Sequence, residues 1–284
     1  MLGNTATGQE PGGERTALRW VRTSCIRRTA ALAVAAALAT ACGADVSTPP
    51  RSTGPAPESI ARKCGRTDGA RATALWLHTS DGQRLYGATG GGGDVGVVLA
   101  PESPPANVCG WLRYVATLEH AGLRVIAFDF RGTGDSPRPL GTAAQSAYDH
   151  DFAAAIARLR SGGATKVVVI GASLGGARAL TYGPTLDADA IVSLSGEATL
   201  PEYDINAIPL VPHLRVPLLI VGTRHDPYLP VSSALQLLRR AGSKDKQTAF
   251  FPGSWHGWEI VLDAPYAARA RALILHWIHA HARA

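Results

Sequence analysis

From about residue 70 to the end of the chain, short runs of β-branched and aliphatic residues alternate with stretches of helical periodicity. That alternation limits the fold more than any other feature. "DVGVVLA", "LRVIAFDF", "KVVVIGAS", "ADAIVSLSG", "VPLLIVGTRHD" and "QTAFFPG" read as strands. Between and after them, "CGWLRYVATLEHAG", "AQSAYDHDFAAAIARLRSGG", the stretch from Leu174, "SSALQLLRRAG" and "APYAARARALILHWIHAHA" read as helices. Near-continuous apolar strands are what a sheet covered on both faces requires. "TALWLHT" and "RLYGATG" add a strand pair around the turn "SDGQ". The expected class is α/β: a mostly parallel, doubly wound sheet with helices on both faces. A hydrophobic content of 46% with 18% charged residues suits a chain that buries one large core. No internal repeat is visible, and no second domain is needed.

Upstream the composition changes twice. "RRTA" precedes "ALAVAAALATAC", an apolar run that is short for a bilayer span and suits a signal-peptide core. Its end, "ATAC", resembles the lipobox of bacterial lipoproteins, with Ala39 where leucine is usual. The resemblance implies lipid modification of Cys42 as the first mature residue. Arg27 and Arg28 also admit a twin-arginine route, although the apolar continuation fits it poorly. "GADVSTPPRSTGPAPES" then has nothing apolar enough to anchor a fold and reads as a tether. The boundaries expected are a signal peptide over 1–41, a tether over 42–68 and a globular domain over 69–284. The protein is then anchored to the outer face of the cell membrane through Cys42, or secreted if it is not lipidated.

Export also governs the reading of charge and cysteine. The leader carries five arginines and two glutamates before Cys42, half of the net charge of +6, and no basic block follows, which argues against nucleic acid as a partner. Cys25 belongs to the leader and Cys42 to the anchor, leaving Cys64 and Cys109 in a compartment that permits a disulfide. Two buried free thiols are the alternative. No Cys/His spacing suggests zinc, and no cofactor is implied.

In a sheet of this kind ligands gather beyond the carboxyl ends of the strands. Ser173 stands there, in "GASLG" between the strand "KVVVI" and a helix, and its spacing matches a nucleophile elbow. A serine hydroxyl needs a base to remove its proton. His256 in "SWHGW" follows a strand and precedes the last helix, whereas His276, His279 and His281 lie on that helix. The base in turn needs a carboxylate to fix its tautomer. Asp226 in "GTRHDPYLP" follows its own strand between Ser173 and His256, with Glu197 after "IVSLS" as the fallback.

Residues from about 70 to 284 resemble an α/β-hydrolase in "GASLGG", "GTRHDPYLP", "SWHGW" and "FDFRGTGDS". The resemblance implies Ser173 as nucleophile, Asp226 as acid and His256 as general base. It also implies an oxyanion hole from the N–H of Leu174 and a second N–H after the third strand. Many relatives have His-Gly there; this chain has "PESPP". Pro101 has no N–H to give, so Glu102 or Ser103 must supply it, and position favours Ser103. The connection between the sixth and seventh strands, "GEATLPEYDINAIPLVPHLR", is too short and too rich in proline for a large lid. Trp255, Trp258 and Tyr228 are the aromatics expected near the site. The function expected is hydrolysis of a small acyl substrate, a carboxylic ester, through an acyl-enzyme. The alternatives are a peptidase or amidase on the same triad and an idle hydrolase fold that binds at the envelope. The sequence leaves the oligomeric state open.

Overall fold

The structure, a computed structural model, describes residues 55–65, 67–141 and 145–282. The expected signal peptide, the expected lipid site Cys42 and the expected tether up to residue 54 lie outside these residues.

Eight strands form one sheet: β1 (Thr73–His78), β2 (Arg84–Gly90), β3 (Val95–Ala100), β4 (Arg124–Phe128), β5 (Lys166–Ala172), β6 (Ala190–Leu194), β7 (Leu218–Thr223) and β8 (Lys246–Phe251). Their spatial order is β1-β2-β4-β3-β5-β6-β7-β8. β2 pairs antiparallel with both β1 and β4, and every other pairing is parallel. The hairpin closes with Trp76 opposite Tyr86, where "SDGQ" predicted it.

Alternation along the central strands divides the core into two layers. Val97, Leu99, Val168, Ile170, Val192, Leu219 and Val221 face one side. There they meet α2 (Leu112–His120) and α6 (Ala267–His281) through Val115, Leu118, Ile274 and Ile278. Val98, Val167, Val169, Ile191, Leu218 and Ile220 face the other side. That layer is closed by α3 (Tyr148–Ser161) and α5 (Val231–Arg240), through Phe152, Ile156, Leu159 and Leu237. Each such side chain, fully buried, contributes about 1.5–3 kcal/mol of transfer free energy. Both faces are covered, as continuous apolar strands require.

The segment "FDFRGTGDS" leaves β4 and forms a buried knot. Asp129 accepts from the Val108 N–H at 2.7 Å and the Asp135 N–H at 3.0 Å, and the Arg131 guanidinium bridges Asp151 and Asp81. Its polar residues are engaged in holding loops together.

Secondary structure begins before the expected domain boundary at 68. A short helix, α1 (Ile60–Cys64), starts from Ser59 and buries Ile60 in the core. Lys63 reaches Asp135 at 2.7 Å, and the Tyr86 hydroxyl donates to the Glu58 carbonyl. Cys64 is disulfide-bonded to Cys109, across a sequence separation of 45. Composition missed this because one isoleucine and one cysteine are enough to dock a polar segment when their partners lie far along the chain. Among the described residues no helix is long and apolar enough to cross a membrane.

Candidate active site

β5 delivers Ser173 into a turn that most residues avoid. Its φ is 48° and ψ −118°, directly before α4 (Leu174–Tyr182). A non-glycine residue held there costs on the order of 1–3 kcal/mol, supplied by the surrounding structure. The Ser173 N–H donates to the Leu194 carbonyl at 2.8 Å, and its own carbonyl accepts from Ala177 at 2.9 Å. The flanking glycines matter through space. A Cβ on Gly171 would lie 2.2 Å from the Gly175 carbonyl oxygen, and one on Gly175 would lie 2.4 Å from that of Ala100. Strand, elbow and helix therefore cross at backbone contact, which leaves Ser173 as the side chain presented above them.

Asp226 and His256 meet across two loops. His256 Nδ1 lies 2.9 Å from Asp226 Oδ1, which also accepts the N–H groups of Tyr228 and Leu229, each at 3.0 Å. The Asp226 side chain is fully buried. Its Oδ2 makes no hydrogen bond, and the Ser195 hydroxyl lies beside the carboxylate without reaching bonding geometry. Burial pushes the Asp226 carboxyl up, but His256, Ser195 and the two backbone N–H groups outweigh it and hold it below the ordinary aspartate value. Burial pulls His256 down, yet the Asp226 hydrogen bond and charge, aided by Glu102 and Glu197, leave it above the ordinary histidine value.

Ser173, His256, Leu174 and Ser103 border one cavity of about 310 Å³. Ser173 and His256 face it without a direct hydrogen bond between them, a distance that commonly closes only when substrate arrives. Glu197 lines the cavity too, but the histidine ring bonds to Asp226. Glu102 turns its carboxylate onto the Trp258 N–H at 2.8 Å, tying the "PESPP" loop to the histidine loop.

Of the expected aromatics only Tyr228 lines the cavity, its ring edge-on to His256 at 4.8 Å. Trp258 packs against Trp111 and Trp255 against the core, because apolar neighbours compete for both indoles. Sequence reading missed Glu202 and Tyr203. They belong to a small excursion after β6, in which Thr199–Leu200 pairs with Ile205–Asn206 as a two-residue ribbon. "GEATLPEYDIN" carries no periodicity that would have singled them out.

A family model described as the α/β hydrolase fold matches residues 90–212. The described domain has the α/β-hydrolase fold. Solved structures share the fold at low identity. An esterase of Pyrococcus furiosus is 18% identical, with a TM-score of 0.63 over 83% of this chain and 98% of that one. A monoacylglycerol lipase of Paleococcus ferrophilus is 19% identical, with a TM-score of 0.57 over 69% and 99%. A Xanthomonas campestris protein described as a serine hydrolase without a lid is 15% identical, at 0.56 over 75% and 96%. None of the curated proteins matches the sequence. The present chain likewise has no large lid: the β6–β7 connection holds only the ribbon and single turns of 3-10 helix.

Proposed function

We propose that the protein is an exported serine hydrolase that cleaves carboxylic esters through an acyl-enzyme. One observation carries the reading: a serine in a strained strand-to-helix turn opens on the same cavity as a histidine whose Nδ1 is engaged by a buried aspartate. With Nδ1 held, Nε2 is the nitrogen left for the serine proton. Ser173 Oγ attacks the ester carbonyl carbon as its proton passes to His256, and the imidazolium faces Asp226. The N–H groups of Leu174 and Ser103 receive the oxyanion, the former at the positive end of α4. His256 returns the proton to the departing alcohol, and water then releases the acyl group by the same path. The esterase and lipase among the structures of the same fold support the ester as substrate. The Cys64–Cys109 disulfide supports export, with Cys42 as the lipid anchor.

A fluorophosphonate probe tests the reading. The full chain should be labelled at neutral pH, and Ser173→Ala should lose the label. Well-folded protein that takes no label would refute the enzyme and favour a binding role. Labelled protein that cleaves anilides as readily as matched esters would shift the assignment to an amidase.

A further inference from the structure

The charge of the cavity is opposite to that of the protein. The chain carries +6 overall, yet the described residues around Ser173 include no lysine or arginine. They do include three carboxylates, Glu102, Glu197 and Glu202, together with the rings of Tyr203 and Tyr228. Apolar lining comes only from Leu174 and Leu200, and the volume of about 310 Å³ leaves little room for a long acyl chain. Neither glutamate nearest the histidine is paired with a lysine or arginine; the basic side chain whose charge bears on both is His256. Glu102 accepts only the Trp258 N–H, and Glu197 sits half-buried with Glu202 and Asp226 for neighbours. Burial, helped by those nearby carboxylates, holds the Glu197 carboxyl above the ordinary value against the opposing charge of His256.

Resting on the ester-hydrolase reading, we propose that the preferred substrate is a small ester bearing an ammonium group within a few bonds of the scissile carbonyl. Three carboxylates oppose the negative charge that develops on the carbonyl oxygen, which penalises neutral substrates and penalises anionic ones more. A cation carried by the substrate offsets that field in the ground state and the transition state alike. The two tyrosine rings provide the π faces on which an alkylammonium rests. The cavity is thus built for a compact, positively charged ester and against a fatty acyl chain.

Charge-isosteric pairs test this on the full chain. Choline butyrate against 3,3-dimethylbutyl butyrate places the cation on the alcohol. Methyl 4-(trimethylammonio)butanoate against methyl 5,5-dimethylhexanoate places it on the acyl group. For at least one pair, kcat/KM should favour the cation by about tenfold at low salt, and the ratio should fall between about 0.02 and 0.5 M salt. Glu197→Gln and Glu202→Gln should each lower that ratio severalfold, the neutral isostere in the same variant serving as its own control. Ratios of one or below for both pairs, with all four esters cleaved, overturn the cation preference and leave ester hydrolysis standing. Labelling of Ser173 by fluorophosphonate without turnover of either cationic ester overturns the preference as well. Neither labelling nor turnover of any of the four overturns the hydrolase reading with it. If the variants fail to fold, the substrate pairs and their salt dependence in the unaltered protein still decide.

Discussion

Replacing Asp226 with asparagine should cost far less than replacing it with alanine, and the reason lies in how the carboxylate is held. Oδ1 takes three donors, from His256 Nδ1 and the N–H groups of Tyr228 and Leu229, whereas Oδ2 takes none. An asparagine that keeps its carbonyl oxygen at the Oδ1 position preserves all three bonds and hence the histidine tautomer. Its amide nitrogen then occupies the Oδ2 position, where the otherwise unpartnered Ser195 hydroxyl is available as an acceptor. Only the charge opposite the imidazolium disappears. Hydrogen bonds to charged groups exceed neutral ones by about 1–2 kcal/mol, and loss of the longer-range attraction brings the total to about 2–3 kcal/mol. In kcat/KM that is a factor of about 30 to 150. Asp226→Ala frees the ring and strands two backbone donors, and should cost about 10⁴. Catalysis needs neutral His256, so activity falls as pH drops through a pKa that stands above the ordinary histidine value. Asparagine removes the hydrogen bond to a charged partner and the charge that raise it, so the acid limb should move to lower pH. Hydrolysis of p-nitrophenyl acetate followed from about pH 5 to 9, with Ser173→Ala as the baseline, measures both quantities. Equal losses in the two variants, or an acid limb that moves upward in Asp226→Asn, would refute the account. Full activity in Asp226→Ala would transfer the acid role to Glu197.

Other parts of the molecule give separate tests. Cys64→Ser should cost about 4 kcal/mol of stability by loop-closure entropy, from the separation of 45 residues. Urea unfolding should show the deficit in oxidising buffer and lose it when both proteins are reduced. Gly175→Ala should disrupt the elbow, since its Cβ meets the Ala100 and Pro101 carbonyl oxygens at 2.4 and 2.5 Å. Loss of fluorophosphonate labelling in variant that still unfolds cooperatively would be the signature, and normal labelling would contradict it. Cys42→Ala should move the protein from the membrane fraction to the soluble exported fraction, which fractionation of the producing cells decides.

The sheet was legible because each central strand is buried on both faces and therefore writes its full length into the sequence as an apolar run. The placement of Ser173, Asp226 and His256 was legible for a related reason. Each follows its own strand, and a parallel sheet brings strand ends to one edge whatever the loops do. What lines the cavity obeys no such rule. Glu102 and Trp258 are joined by a hydrogen bond across 156 positions, and Glu202 and Tyr203 depend on a two-residue ribbon too short to leave a period. The two tryptophans beside His256 mislead for the same reason: adjacency in the chain does not say whether an indole turns to the cleft or to the core. The "PESPP" loop combines both situations. Its prolines announce that an ordinary oxyanion loop is missing, but only the fold reveals that Glu102 ties it to the histidine loop and leaves Ser103 at the cavity. Strand periodicity therefore reaches the residues proposed for the chemistry, while those proposed to choose the substrate come from loops whose partners the chain meets only after it has folded.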